Sequence, residues 1–171
     1  MLNARLISDR IQMLAYLPCR AKVAELGVLK GDFSKEILRI NEPKELHLVD
    51  IDMSQLDLIW DERKSKVFLH EINDLDWLPK WPKYFDWLYI DTTHTYEHTK
   101  QELILSHIAI KDNGYICGHD YSHVCACGPK ETWVEMGVIQ AVNEFCRDYN
   151  YELKYLTNEP HRFLSYVLEK K

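Results

Sequence analysis

Apolar residues recur along this chain with two periods, and the switches between them mark its elements. Ile7, Ile11, Leu14 and Ala15 fall at helical spacing, so residues 3–17 are expected to form an amphipathic helix stopped at Pro18. Short apolar runs at Lys22–Leu26, Glu45–Ile51, Lys66–Glu71, Phe85–Asp91 and Tyr115–Asp120 have the length of strands. Gly31-Asp32 opens a helix whose Phe33, Ile37 and Ile40 share a face, and Pro43 closes the connection. Ser54, with Asp57 three residues on, has the form of a capping box for a helix carrying Leu56 and Trp60 inward. A helix of about 15 residues fits between Asp91 and a turn at Asn113-Gly114. Val134, Val138, Ala141, Val142 and Phe145 form a further helical stripe. Strands at Tyr151–Thr157 and Phe163–Glu169, joined by a turn at Asn158–His161, end the chain.

Strands that alternate with helices predict an α/β, Rossmann-like doubly wound sheet, here seven-stranded and mostly parallel. About five residues cannot hold a crossover helix, so the last two strands are expected to be a C-terminal antiparallel hairpin at one edge of the sheet. With 171 residues the chain reads as one domain, 1–171, with residues 1–18 as an N-terminal helix.

Composition narrows the classes. The net charge is −6 and the basic residues are spread out, which argues against a surface that tracks nucleic acid. No apolar stretch is long enough to span a bilayer, and the N-terminus lacks a signal-peptide core, so a cytoplasmic, non-membrane protein is expected. Five cysteines in such a chain predict free thiols. His123, Cys125 and Cys127 lack the spacing of a zinc site.

The chemistry gathers where strands end. Asp91 and Asp120 close two strands of one βαβ unit, whose carboxyl ends lie on the same edge of the sheet, where open α/β sheets bind ligands. His94 and His119 accompany them. The first strand ends in Glu25, Gly27 and Gly31, a G-x-x-x-G turn that lacks the further glycine a pyrophosphate needs. Glu25 would itself repel a phosphate. These residues favour a cofactor with ribose and adenine but no phosphate, and the cationic S-adenosylmethionine fits. Asp50, about 20 residues past the turn, is placed to accept ribose hydroxyls. Asn73 and Asp74 could reach the adenine amine.

The segments VAELGVLKGDFS (23–34), LHLVDI (46–51), LYIDTTHTYEHTKQELILSHIAIKDNGYICGHDY (88–121) and GVIQAVNEF (137–145) resemble the class I S-adenosylmethionine-dependent methyltransferases. The similarity is greatest to a small branch that includes macrocin O-methyltransferase and cephalosporin hydroxylase-like enzymes, several of which use a divalent metal. The resemblance implies that Glu25, Gly27, Gly31, Asp50, Asn73 and Asp91 contact the cofactor, and that Asp91 and Asp120 hold metal or substrate. His119 stands where metal-dependent relatives carry a second carboxylate, giving Asp91, His119 and Asp120 as the ligand set for Mg²⁺ or Mn²⁺. Thr92-Thr93 replaces the Gly-Asp of the pattern, which would narrow the pocket.

The expected reaction is methyl transfer to a small molecule at a hydroxyl. His94 or His119 would act as base, or a metal would lower the acceptor's pKa. The loop 121–133 is the expected lid, Trp133 a possible roof of the pocket, and a second copy of the chain a candidate to complete the site. Two rival readings are a non-catalytic nucleoside-binding module on the same scaffold and a nicotinamide-dependent oxidoreductase, the latter disfavoured by Glu25 and the missing glycine.

Overall fold

A computed structural model describes residues 4–125, 134–159 and 163–171. Its centre is a parallel sheet written by strict alternation. In β2 (Lys22–Leu26) and β5 (Phe85–Ile90), Val23, Trp87 and Tyr89 face one side while Ala24, Leu26, Leu88 and Ile90 face the other, and all are buried. Such runs are apolar on both faces because helices cover both. On the first side lie α1 (Arg10–Leu14) and α2 (Asp32–Asn41), contributing Met13, Leu14, Phe33 and Ile37. On the second lie α4 (Tyr96–Ala109) and α5 (Val138–Tyr149), contributing Leu103, Val142 and Phe145. No helix among the described residues is long and apolar enough to cross a membrane. Cys19, Cys117 and Cys146 are free thiols.

The remaining elements are β1 (Arg5–Ile7), β3 (Glu45–Asp50), β4 (Lys66–Glu71), a short α3 (Asp74–Trp77), β6 (Ile110–Gly118), a small hairpin of β7 (Val124–Cys125) with β8 (Val134–Glu135), β9 (Tyr151–Thr157) and β10 (Tyr166–Lys170). The main sheet has the order β1-β9-β10-β6-β5-β2-β3-β4 and is parallel except for β10, which runs antiparallel to both β6 and β9.

Five expectations are corrected. The sheet has eight strands rather than seven, because Arg5–Ile7 is a strand paired in parallel with Tyr155–Thr157. The expected N-terminal helix therefore shrinks to Arg10–Leu14. It starts at Asp9, whose carboxylate accepts from Gln12 N at 2.7 Å as an N-cap. The C-terminal hairpin is antiparallel as expected but not marginal: β10 slots between β6 and β9, and β1 covers the edge. Ser54–Trp60 forms no helix. Ser54 N donates to Asp52 Oδ1 at 2.8 Å, an Asx turn that takes the backbone donor a capping box would use differently. Asn113-Gly114 lies within β6, which pairs with β5 through a register shift, instead of forming a free turn before it.

The turn after β2 is the tightest point of the fold. Gly27 has φ +82°, and a Cβ there would sit 2.0 Å from the Asp91 carbonyl oxygen. Gly27→Ala should destabilise the protein by about 2 kcal/mol or more through left-handed strain plus the clash. Urea unfolding checks this, the expected result being a lowered midpoint at an unchanged m-value.

Candidate active site

The carboxyl ends of β4, β3, β2 and β5 enclose a cavity of about 540 Å³, within the range of small-ligand pockets. Its walls include Glu25, Gly27, Asp50, Asn73, Asp74, Asp91, Thr92, Thr93 and His94. Gly31, His119 and Asp120 do not line it. Gly31 instead precedes α2 at φ +78°, where a Cβ would press on Leu56 at 2.8 Å.

Asp50 organises the glycine turn. Its Oδ2 accepts from the backbone N–H of Val28 at 2.7 Å and of Leu29 at 3.1 Å, and Oδ1 accepts from Asp52 N at 3.1 Å. A carboxylate offers about four lone-pair sites, so acceptor capacity remains toward the cavity. Asn73 caps α3, its side-chain oxygen accepting from Leu75 N at 2.9 Å. Glu25 lies on the α2 side of β2, 2% exposed, and accepts from Ser34 Oγ at 2.5 Å. Burial pushes its carboxyl up to about 8, against the Ser34 hydrogen bond, with the nearby Asp91 charge adding to the rise.

Thr92 does not obstruct the cavity with its hydroxyl, which donates to Glu102 Oε1 at 2.6 Å. Glu102 is wholly buried on α4, and burial together with neighbouring Asp74 holds its carboxyl well above the usual range. His98 Nε2 lies 3.2 Å from Asp74 Oδ1 and 3.6 Å from Glu102 Oε1, tying the loop after β5 to the one after β4.

The second half of the site joins the ends of β5 and β6. His94 Nε2 lies 3.2 Å from Asp91 Oδ1 and 2.8 Å from Asp120 Oδ2. His119 Nδ1 is 3.2 Å from Asp120 Oδ2 and 3.7 Å from Asp91 Oδ1. His119 reaches its neighbour Asp120 because β6 has ended at Gly118, so the pleat no longer sends adjacent side chains apart. Burial lowers the His94 imidazole, but the two hydrogen-bonded carboxylates outweigh it and lift it to about 9. Asp120 is pushed up by burial and held well below the carboxylate range by hydrogen bonds with His119 and His94. An imidazolium therefore bridges the two acids. His94 and Asp120 both adopt positive φ, +58° and +54°, uncommon for such residues and found where the surroundings over-determine a site. Asp91, His94 and Asp120 each offer a ligand atom within 4.8 Å of the others. His94 joins the two acids in this group, and His119, the third residue of the expected set, lies beside the same two carboxylates.

Residues the sequence did not single out also line the cavity: Arg10, Lys30, Phe33 and His98. Arg10 had no signal, since one arginine in an apparent surface helix carries no pattern. Cys127 and Trp133, and with them most of the expected lid, lie outside the described residues.

A family model described as a methyltransferase domain matches residues 24–121, from β2 through the loop that follows β6. The chain belongs to this family. Its fold is that of class I S-adenosylmethionine-dependent methyltransferases. Among solved structures, one is similar at a TM-score of 0.64 and 13% identity, an S-adenosylmethionine-dependent methyltransferase from Mesorhizobium loti, over 93% of this chain and 96% of that one. Another is 1,6-didemethyltoxoflavin-N1-methyltransferase from Burkholderia thailandensis, solved with 1,6-didemethyltoxoflavin and S-adenosylhomocysteine (TM-score 0.63, 14% identity, 94% of this chain and 78% of that one). A third is spermidine synthase from Thermotoga maritima (0.58, 18%, 94% and 57%). The chain spans about half the length, from 45% to 57%, of that spermidine synthase and of two further similar structures. No curated protein matches the sequence significantly.

A pH dependence follows from Glu25. Its folded pKa, about 8, lies above the ordinary 4.5, so the folded state holds a proton that the unfolded state releases between those values. Stability contributed by this group falls as pH rises through that window. Glu25→Gln, neutral at every pH, should therefore gain on the wild type as pH rises from 5 to about 8. Paired melting curves across that range check it, and a constant difference would mean Glu25 is ionised throughout.

Proposed function

We propose that this protein transfers a methyl group from S-adenosylmethionine to a hydroxyl of a small molecule. The observation that carries the reading is the acidic cavity over the strand ends, with the Gly27 turn on one side and the Asp91–His94–Asp120 cluster at its margin. Five carboxyl residues, Glu25, Asp32, Asp50, Asp74 and Asp91, line it. They suit a ligand whose sulfonium and ammonium are cations and would repel a pyrophosphate.

Glu25, Gly27, Asp50, Asn73 and Asp91 are the contacts assigned to the cofactor, and Gly31 shapes their turn. The sulfonium supplies an electrophilic methyl, and the work of the chain is to hold an acceptor oxygen roughly 3 Å from it on the far side from sulfur. The acceptor must also lose a proton. At a pKa of about 9, about one His94 in a hundred is neutral at pH 7, so His94 is a poor base while both carboxylates clasp it. His119, on the outer side of Asp120, is the other candidate base.

A divalent cation fits Asp91, His94 and Asp120, provided it displaces the His94 proton. Two carboxylates and an imidazole favour Mn²⁺ over Mg²⁺, which prefers oxygen ligands alone. When bound, such an ion lowers the pKa of a coordinated hydroxyl.

Calorimetric titration with S-adenosylhomocysteine tests the cofactor. Asp50→Ala should weaken binding by about 1–3 kcal/mol. Asp50→Asn, which keeps an oxygen for the Val28 and Leu29 N–H groups, separates loss of the ribose contact from collapse of the turn. Unchanged affinity in both variants would remove Asp50 from the ribose site. Turnover on a panel of phenols and sugars tests the acceptor class.

The metal is tested by melting temperature in EDTA and then in millimolar Mn²⁺ or Mg²⁺, because a ligand that binds only the folded state raises it. The expected result is a larger rise with Mn²⁺, abolished in Asp120→Asn. No rise with either ion, with or without S-adenosylhomocysteine, would leave His119 as the base to pursue.

A further inference from the structure

The order of the strand ends gives the cavity a direction. Asn73 and Asp74 follow β4, Asp50 ends β3, Glu25 and Gly27 belong to β2 and its turn, and Asp91 follows β5. Neighbouring strands lie about 4.8 Å apart, so these groups span roughly 14 Å in a row. If adenine lies over Asn73 and the ribose over Asp50, the amino-acid end of the cofactor falls at Glu25 and Asp91. That end of a zwitterionic ligand carries an ammonium and a carboxylate. Asp91, beside the turn, can serve the first but would repel the second, and the buried Glu25 is already engaged with Ser34 Oγ at 2.5 Å.

Arg10 stands at that end. Its Nη1 is 3.7 Å from Asp91 Oδ2, and its Cζ lies over the Phe33 ring, 5.1 Å from the centroid. The approach to Asp91 is of ion-pair range but longer than the about 2.7–2.9 Å of a charge-assisted hydrogen bond, and a guanidinium has five N–H donors in a rigid fork. Donor capacity toward a second anion is therefore retained. Among the described cavity residues, the other positive groups are placed elsewhere: Lys30 is exposed, His94 bridges Asp91 and Asp120, and His98 faces Asp74. A carboxylate and a guanidinium side by side are the complement of an α-amino acid.

The position of Arg10 is built in rather than left to a loose terminus. Its backbone N–H donates to Glu159 Oε1 at 3.0 Å, and that oxygen also accepts from Thr157 Oγ1 at 3.1 Å and Ser165 Oγ at 3.3 Å. The preceding β1 is laced to β9, and Asn158 N donates to Ile7 O at 2.9 Å. The extra edge strand thus fixes the first residue of α1 over the cavity.

We infer that Arg10 is the receptor for the cofactor's carboxylate, delivered by the β1–α1 segment, and that it makes the site selective for the amino-acid form of the cofactor. The inference rests on the methyl-transfer reading above. Its test compares two ligands by calorimetry: S-adenosylhomocysteine, and the 5′-(3-aminopropylthio)-5′-deoxyadenosine analogue, which lacks only the carboxylate. Wild type should prefer the first. Arg10→Met, which keeps an unbranched apolar stem over Phe33, should weaken S-adenosylhomocysteine about ten- to hundredfold, the scale of a hydrogen-bonded charge pair. It should leave the analogue's affinity unchanged, which also shows that the variant is folded. Arg10→Lys should recover part of the loss. Equal weakening of both ligands, or of neither, overturns the carboxylate role while leaving the cofactor assignment intact. Failure of wild type to bind either ligand overturns the cofactor reading and this inference with it.

Discussion

The site depends on parallel ladders that run one residue past their strands. Asp91 N donates to Leu26 O at 2.8 Å, Gly27 N to Val49 O at 2.9 Å, Ile72 N to Asp50 O at 2.9 Å and His119 N to Ile90 O at 2.9 Å. Each bond fixes the first loop residue of one strand against the last residues of its neighbour. The loops therefore leave the sheet in register, and the side chains that follow are set by backbone geometry before any ligand arrives. The same closeness explains Gly27. With the Asp91 carbonyl against it, any side chain would force β2 and β5 apart.

That register concentrates acid. Burying Glu25 and Glu102 on opposite faces of the sheet carries a desolvation cost that raises both carboxyls above the usual range, and each accepts a hydroxyl hydrogen bond, from Ser34 and Thr92. Asp120 is held differently, by two histidines. The two buried glutamates are thus raised by burial, while Asp120, against its burial, is lowered by its histidine partners.

Much of this was legible in the sequence. The parallel core was, because a strand buried on both faces must be apolar throughout, and each such run here is closed by a residue with chemistry. The gathering of Asp91, His94, His119 and Asp120 was legible for the same reason, since crossover helices force their strands parallel. What the sequence hid was non-local or short. Arg5–Ile7 has too few residues to show a period, and its strand state comes from β9. The insertion of β10 between β6 and β9 leaves no trace in spacing, because a tight connection specifies antiparallel pairing but not which other strand lies alongside. Ser54 had the residues of a cap, yet Asp52 captured its N–H first. Arg10 was hidden with β1, since only the edge pairing brings it to the cavity.

The histidine cluster also changes how the two routes to an activated acceptor relate. From sequence, a metal and a histidine base were alternatives drawing on overlapping residues. In the structure they are linked through one proton. While His94 carries it, the two carboxylates are compensated, the N–H occupies the space where the proposed ion would sit, and His94 is a poor acceptor of a proton. A cation entering between Asp91 and Asp120 must release that proton, because a metal ligand has to be deprotonated. His119 does not itself line the cavity, but its Nδ1 lies 3.2 Å from Asp120 Oδ2 and 3.7 Å from Asp91 Oδ1, so it remains beside both acids when His94 is engaged. On the proposed reading, binding of a metal would be coupled to loss of the His94 proton, so the state of that proton would separate the two routes.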